Sequence, residues 1–353
     1  MIDYIYLMNE KEWKQFMMNV GIIGAGRIGK VHCESIMRYV KGVTVKAIAD
    51  PFLKEETVEW AKSLGVKEFF TDYKKILDDK DITAVLICSS TDTHSSISIE
   101  ALRAGKHVFC EKPIDHDVRK ILEVKAEIAK HPELKYQVGF NRRFDHNFRA
   151  AREAVKAGKI GELNVLKVCS RDPGAPPVSY IKVSGGIFLD MTIHDFDMIR
   201  FMSGSEVEEV FAYGGVMVDP AIGEAGDIDT AVISMKLKNG ALAVIDNCRR
   251  ATYGYDQRVE VFGSLGQVAI ANDTDSSAVI SNADGVHAEK PLLFFLERYM
   301  QAYVNEITQF IDCVENDKEV PVDVDCGLQA VVIGLAAKKS LIEGRPVKLT
   351  EIL

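Results

Sequence analysis

Short apolar segments alternate with helical segments over the first 140 residues of the chain, and this alternation constrains the fold more than any other feature of the sequence. Runs such as VGII, TVKAIA and TAVLIC are rich in β-branched residues, and longer segments with helical character separate them. Strands that alternate with helices predict βαβ units and a parallel sheet that is buried on both faces. Residues 18–140 are therefore predicted to form a doubly wound α/β domain.

The first apolar run leads directly into the glycine motif GAGRIG, in which Gly24, Gly26 and Gly29 have the spacing G-x-G-x-x-G. Between a strand and a helix, these glycines permit a tight turn, a close approach of backbone to a pyrophosphate, and close packing of helix on strand. The helix N-terminus adds unpaired N–H groups and a partial positive charge. Asp50 ends the next predicted strand, about 20 residues beyond Gly29, where an acid binds the adenosine ribose. A turn before Pro51 explains the Asp-Pro pair but not this spacing, so the motif predicts a Rossmann domain that prefers NAD to NADP.

Further polar residues follow two later strands, at the edge of the sheet where such folds bind ligands. The fourth strand ends in SSTDTH and the fifth in CEKP, which brings Glu111 and Lys112 to the nicotinamide end if the dinucleotide lies across this edge. Helix capping is the alternative role for part of SSTDTH, and a solvated charge is the alternative for Lys112. The predicted cofactor-binding residues are Gly24, Gly26, Arg27, Ile28, Gly29, Asp50, Ser89, Thr91, His94, Glu111 and Lys112.

The pattern changes after Asn141, where several strands follow one another without intervening helices. The segments AVISMKLKNG, ALAVIDNCRRA, QRVEVFGS and GQVAIAN are separated by short turns, which is typical of antiparallel pairing. Residues 141–353 are predicted to form an α+β domain with a largely antiparallel open sheet, with the C-terminal helix as a candidate to pack back on the first domain. Residues 1–17 are predicted to be an N-terminal extension, either a short surface helix or a disordered segment.

Charge and cysteine usage restrict the partners and the compartment. The chain of 353 residues has a formal net charge of −9, which argues against nucleic acid because phosphate binding needs a basic surface. No apolar run approaches the roughly 20 residues that span a bilayer. The seven cysteines are scattered and form no C-x-x-C pair, which favours reduced cytoplasmic thiols over disulfides or a zinc site. The chain is expected to act on a small molecule in the cytoplasm, with no metal, membrane or nucleic-acid partner.

The segment SGGIFLDMTIHDFDMIRFM is predicted to form a helix from about Leu189 to Met202. Asp190, His194 and Asp197 are spaced i, i+4 and i+7, so they would share one face of that helix. A histidine one turn from a carboxylate suits the role of an oriented acid or base. The alternative is a polar stripe that faces solvent, with His194 simply bonded to a carboxylate.

Together these motifs resemble the glucose-fructose oxidoreductase and inositol dehydrogenase family, and most closely its inositol dehydrogenase branch. The resemblance begins near Asn19, continues to the end of the chain and rests on GIIGAGRIGKVH, EKP, GFNRRFD, SGGIFLDMTIHDFDMIRF, YGYDQRVEVFG and FFLERY. At Ser90 the chain departs from relatives that often have proline. The resemblance implies a catalytic set of Lys112, Asp190 and His194, and substrate contacts from Lys112, Arg142, Asp172, Asp190, His194 and Tyr253.

The chemistry that the resemblance implies is oxidation of a ring secondary alcohol of myo-inositol by NAD to the 2-keto product, in a homotetramer that pairs the open sheet faces of the second domains. His194 is the expected base, because neutral imidazole is available near neutral pH. Asp190 would orient that imidazole, and Lys112 would hold the developing alkoxide. Two alternatives stay open: the same chemistry on another inositol isomer or an aldose, and a dinucleotide-sensing regulator without turnover.

Overall fold

The structure of the chain is a computed structural model that describes residues 17–353, and these residues divide into two compact units. Residues 17–139 form the first unit together with Tyr303–Asp325, and Phe140–Ala302 form the second together with Cys326–Leu353. The predicted N-terminal extension lies outside the described residues, except for its last residue. Within residues 17–353, each helix is too short or too polar to cross a lipid bilayer.

Strands and helices alternate up to Gly139, and strands dominate the middle of the second unit. The strands are β1 (Met18–Ile23), β2 (Val43–Ala49), β3 (Glu68–Phe70), β4 (Ile82–Ile87), β5 (His107–Glu111), β6 (Tyr136–Gly139), β7 (Leu163–Arg171), β8 (Val207–Gly215), β9 (Thr230–Leu237), β10 (Leu242–Cys248), β11 (Asp256–Gly263), β12 (Gly266–Ile270), β13 (Val279–Asn282), β14 (Gly285–Ala288) and β15 (Val347–Lys348). The α-helices are α1 (Arg27–Tyr39), α2 (Glu55–Leu64), α3 (Lys74–Leu77), α4 (Thr91–Arg103), α5 (Val118–Ile128), α6 (His146–Lys156), α7 (Val178–Ile181), α8 (Ile187–Asp190), α9 (Ile193–Ser203), α10 (Pro220–Glu224), α11 (Phe295–Arg298), α12 (Met300–Glu315) and α13 (Val324–Glu343). Two 3-10 helices cover Asn141–Phe144 and Leu349–Glu351.

The first unit contains a six-stranded sheet in the order β3-β2-β1-β4-β5-β6, and every neighbouring pair is parallel. This order is that of doubly wound dinucleotide-binding folds, so the predicted Rossmann domain is confirmed. Apolar residues of β1 and β4, such as Val20 and Leu86, are fully buried, as a sheet covered on both faces requires. Helix α12 adds Ile307 and Phe310 to the same core, although it lies far away in sequence.

The second unit is built on a seven-stranded sheet in the order β12-β11-β7-β10-β9-β8-β15. Only β7 and β10 pair in parallel, and the other neighbours are antiparallel, which confirms the prediction of a largely antiparallel sheet. Buried and exposed residues alternate along β9, so one face of the sheet carries the core and the other face is open. Because β7 and β10 run in parallel, their carboxyl ends meet at one edge of the sheet, where Asp172 and Arg249 follow them.

Candidate active site

The glycine loop after β1 has the geometry of a phosphate-binding turn. Gly24 has a φ of +102°, and a Cβ there would lie 2.5 Å from the backbone of Cys88 and Ser89. A Cβ at Gly29 would lie 2.0 Å from the Gly24 carbonyl oxygen, whereas a Cβ at Gly26 would meet nothing within 4 Å. Packing therefore requires the first and third glycines. The second leaves open space at the N-terminus of α1, which fits the diphosphate of a dinucleotide.

Asp50 joins the end of β2 to this loop. Its Oδ2 accepts a hydrogen bond from the Ala25 N–H at 2.7 Å, and its Oδ1 accepts one from the Phe52 N–H at 2.8 Å. Each carboxylate oxygen keeps a further lone pair for a ribose hydroxyl. A cavity of about 390 Å³ borders Asp50, and Gly26, Lys30 and Lys54 are also among its lining residues. The residues present thus fit the adenosine end of a dinucleotide.

His94 links the ends of β4 and β5. Its Nδ1 lies 2.8 Å from the Pro113 carbonyl oxygen and its Nε2 lies 3.0 Å from the Ser89 carbonyl oxygen. Two carbonyl acceptors require two N–H donors, so the ring is protonated. Burial disfavours the charged ring, but Cys110 and the two carbonyls outweigh burial and raise the pKa of His94 to about 9. The protein itself thus occupies both ring nitrogens of His94, and cofactor contacts of Ser89, Thr91 and His94 stay predictions.

Glu111 is the last residue of β5 and Lys112 follows it, and their side chains have different surroundings. Glu111 is buried, and its Oε1 lies 2.6 Å from His32 Nε2. Its Oε2 accepts the backbone N–H of Lys112 at 3.3 Å. Lys112 itself is partly exposed. Since Glu111 is held by protein groups, a direct cofactor contact by its carboxylate stays a prediction.

The helix predicted from Leu189 to Met202 is interrupted, and this part of the sequence interpretation is wrong. Asp190 ends α8, and His194 lies in the first turn of α9. The His194 N–H bonds to the Met191 carbonyl oxygen and not to that of Asp190, which breaks the i→i−4 pattern between the two residues. Asp197 does not belong to an exposed polar stripe either, because it is fully buried and paired with Arg143 at 2.5 Å.

Arg249 is a site residue that sequence analysis missed. It is 1% exposed, and its Nη2 donates to Asp190 Oδ2 at 3.1 Å. Its Nη1 lies 3.9 Å from Asp172 Oδ2, so one buried guanidinium lies between two carboxylates. Tyr180 also donates its hydroxyl hydrogen to Asp190, at 3.0 Å. In the sequence, Arg249 is the first of two arginines that follow a predicted strand. Such a pair is usually exposed to solvent, so nothing in the neighbouring sequence indicated that Arg249 is buried.

Asp172 differs electrostatically from an ordinary surface carboxyl group. Burial, together with the neighbouring Asp190, raises the pKa of Asp172 to about 7, although Arg249 opposes the shift. At neutral pH the protonated and the ionised forms of this carboxyl group are therefore both populated. In the acid form it donates a hydrogen bond and in the ionised form it accepts, and both suit a substrate hydroxyl.

A buried network fixes the start of α9, where His194 lies. Arg142 is 4% exposed, and its Nη1 donates to Asp195 Oδ1 at 2.5 Å. Asn247 donates to the other oxygen of Asp195 at 2.8 Å and accepts the Thr192 hydroxyl hydrogen at 2.6 Å. Arg142 is thus committed to a buried ion pair beneath the helix. Its predicted contact with substrate stays a prediction.

The structure brings together some of the predicted substrate residues of the second unit and not others. Arg249 joins Asp172 and Asp190, but Tyr253 belongs to a different group of contacts. The Tyr253 hydroxyl donates to Asp256 at 2.5 Å and accepts from Arg171 at 3.2 Å. These contacts hold Tyr253 at the start of β11.

Comparison with known proteins gives matches over nearly the whole chain. The model of an oxidoreductase family with an NAD-binding Rossmann fold matches residues 18–140, and that of the GFO/IDH/MocA C-terminal domain matches residues 148–269. The chain is 47% identical over 337 residues to myo-inositol 2-dehydrogenase of Thermotoga maritima, covering 95% of this chain and 100% of that relative. It is 44% identical to inositol 2-dehydrogenase of Rhizobium meliloti, over 93% of this chain and 98% of that relative. Among solved structures, scyllo-inositol dehydrogenase from Lactobacillus casei with NAD(H) and scyllo-inositol superposes with a TM-score of 0.88 at 34% identity, covering 95% of this chain and 99% of that chain.

Proposed function

Because the chain belongs to the GFO/IDH/MocA family of NAD-dependent oxidoreductases, we propose that it oxidises a ring secondary alcohol of myo-inositol to the 2-keto product. The observation that carries the proposal is the cluster of Asp172, Arg249 and Asp190, in the same unit as His194. Two carboxyl groups and one guanidinium supply the donors and acceptors that adjacent hydroxyls of a polyol need. The name of the Thermotoga maritima relative supports the choice of myo-inositol.

The proposed mechanism gives each residue of the predicted catalytic set one role. When bound, NAD would supply the acceptor for the hydride of the carbinol carbon. The glycine loop would hold its diphosphate, and Asp50 would hold its adenosine ribose. His194 takes the hydroxyl proton, and Asp190 orients the imidazole and stabilises its charged form. Lys112 stabilises the negative charge that develops on the substrate oxygen.

An NAD-reduction assay over a panel of inositol isomers and aldoses tests the proposal. We expect the highest kcat/KM with myo-inositol, and lower values with scyllo-inositol and glucose. A higher kcat/KM for another panel member would reassign the substrate. Absence of NADH formation with every member would favour a dinucleotide sensor without turnover.

Asp50 is expected to set the preference for NAD. In Asp50→Ser, the carboxylate that repels a 2′-phosphate is lost, while Lys30 and Lys54 still line the same cavity. The ratio of kcat/KM for NAD to that for NADP should fall by about tenfold or more. Asp78→Ser, at an exposed position of the same unit, is the matched control and should leave the ratio unchanged. An unchanged ratio in Asp50→Ser would remove Asp50 from cofactor selection.

The open face of the second-unit sheet is proposed to bind further copies of this chain in a homotetramer. Tyr213 and Val232 lie opposite each other on β8 and β9, and both are largely exposed. Further apolar side chains on this face belong to β7, β10 and β11, and include Val165, Leu242, Val244 and Phe262. An exposed apolar face of this extent favours association between protein surfaces. Ion pairs across neighbouring strands, such as Lys167 with Glu260 at 2.7 Å, would set the register of two such faces.

Val232→Glu tests the tetramer. A carboxylate on the open face would be buried without a partner on association, so light scattering should report a mass below that of four chains. Ile342→Glu, a change at an exposed residue of α13, is the control and should keep the tetramer mass. The sheet face is not the interface if Val232→Glu stays tetrameric.

We also propose a cytoplasmic location. All seven cysteines are free thiols, and Cys33, Cys88, Cys110 and Cys313 are buried. Structures that retain several free thiols are typical of reducing compartments. Fractionation of cells that express the chain would test this.

A further inference from the structure

Three ionisable side chains lie together inside the first unit: His32 on α1, Glu111 at the end of β5 and Glu306 on α12. A nitrogen or oxygen atom from each lies within 4.8 Å of the others, and all three residues are buried. His32 and Glu111 already form a hydrogen bond. Glu306 has no solvent exposure, and within the part of the chain that the structure describes neither of its carboxylate oxygens has a hydrogen-bond partner.

Two carboxyl groups buried this close together need a metal ion or a proton to neutralise their negative charge. Ligands of a tetrahedral zinc ion lie about 2.0–2.2 Å from the metal, so two neighbouring ligand atoms are separated by roughly 3.2–3.5 Å. The 2.6 Å distance between His32 Nε2 and Glu111 Oε1 is shorter than this and is that of a direct hydrogen bond. The geometry therefore favours a proton over a metal.

Among the described residues, no lysine or arginine side chain balances an ionised Glu306 carboxylate. The titratable groups that face it are His32 on α1, Cys88 after β4 and Glu111 on β5. His32 already pairs with Glu111, and within residues 17–353 Glu306 makes no ion pair with a lysine or arginine. Burial, followed by the Glu111 carboxylate, raises the pKa of Glu306 well above its usual range.

We propose that Glu306 is a neutral carboxylic acid in the folded protein, beside the hydrogen-bonded Glu111 and His32, and that it is a positioning residue for Lys112. Glu111 Oε2 accepts the Lys112 N–H, so the orientation of Glu111 fixes the chain at Lys112. A protonated Glu306 attracts the Glu111 carboxylate, whereas an ionised Glu306 repels it. The effect on catalysis rests on the proposed function, but the protonation of Glu306 does not.

Infrared difference spectroscopy of the full chain at pH 7 tests the protonation directly. Glu306→Gln is compared with the native chain, and Glu315→Gln, an exposed position on the same helix, is the matched control. We expect one carbonyl stretch of a protonated carboxylic acid to be lost in Glu306→Gln and retained in Glu315→Gln, apart from the contribution that the partly protonated Asp172 makes in all three chains. Retention of the whole band in Glu306→Gln would overturn the proposal.

The pH dependence of urea unfolding provides a second test. If Glu306 keeps its proton in the folded state and loses it in the unfolded state, the folded state becomes less stable as pH rises. The loss begins above the pKa that Glu306 has in the unfolded chain. Between pH 5 and 7, the unfolding constant of the native chain divided by that of Glu306→Gln should therefore rise about tenfold per pH unit. The same ratio for Glu315→Gln should stay constant. A constant ratio for Glu306→Gln would mean that Glu306 is ionised when folded.

Kinetics test the positioning role. Glu306→Leu keeps a similar volume but removes the donor, and it should lower kcat by about tenfold with little change in KM for NAD, whereas Glu306→Gln should restore kcat. Equal losses in both variants would overturn the positioning role. Zinc that raises the melting temperature of the native chain but not of Glu306→Gln would assign a metal site instead. If no polyol is oxidised, the infrared and unfolding experiments still decide the protonation.

Discussion

Replacement of His194 by alanine is expected to lower kcat with myo-inositol by about two to four orders of magnitude, the range lost when a positioned base is removed. Without the imidazole, no side chain takes the hydroxyl proton as the carbinol carbon loses its hydride. The glycine loop and Asp50 are unchanged in this variant, so the dissociation constant for NAD should stay within about threefold of the native value. Stopped-flow turnover and NAD titration measure the two quantities separately.

His146→Ala is the matched control for this experiment. His146 lies in the same unit, but its side chain is 67% exposed, and its substitution should leave kcat unchanged. Near-native turnover in His194→Ala would return the residue to the role of a polar side chain at a helix start. The proposed mechanism would then have to be abandoned.

Among the proposed variants, Arg249→Met is expected to lower the free energy of unfolding most. The change leaves Asp190 and Asp172 beside each other without the guanidinium that lies between them. When one partner of a buried ion pair is removed, the other charge stays buried and uncompensated, and the free energy of unfolding falls by about 3–5 kcal/mol. The kcat/KM should also fall by at least about tenfold, because Asp190 loses its orientation. Urea unfolding and steady-state kinetics on the same preparation measure both effects.

Arg345→Met is the control for Arg249→Met. Arg345 forms ion pairs with Glu343 and Glu351 at the surface of the same unit, where solvent screens the charges. Its substitution should leave the urea midpoint close to that of the native chain. A midpoint for Arg249→Met that matches the control would show that the two carboxyl groups do not depend on the guanidinium.

The Rossmann domain could be predicted from the sequence because its signals are local and periodic. Strands buried on both faces appear as short apolar runs, and helices appear between them at regular intervals. The glycine motif is equally local. Gly24 has a φ of +102°, and a Cβ at Gly29 would lie 2.0 Å from the Gly24 carbonyl oxygen, so both requirements arise within this one turn.

The interruption between Asp190 and His194 could not be predicted from spacing. A continuous helix satisfies the pattern of the sequence, but the Thr192 hydroxyl bonds to Asn247, a residue more than 50 positions away. Asn247 also holds Asp195, which in turn holds Arg142. Such contacts do not recur at a regular spacing along the chain, so helix propensity and residue spacing do not indicate them.

The sequence by itself determined the fold class and the glycine loop, because both depend on neighbours within about one supersecondary unit, whereas the proposed catalytic set follows from the resemblance to a family. The tertiary structure alone decided the surroundings of those residues. It set Arg249 between Asp172 and Asp190, and it buried Glu306 beside Glu111. The physical reason is that burial and charge pairing depend on distances in space between groups far apart in sequence, and these distances exist only after the chain has folded.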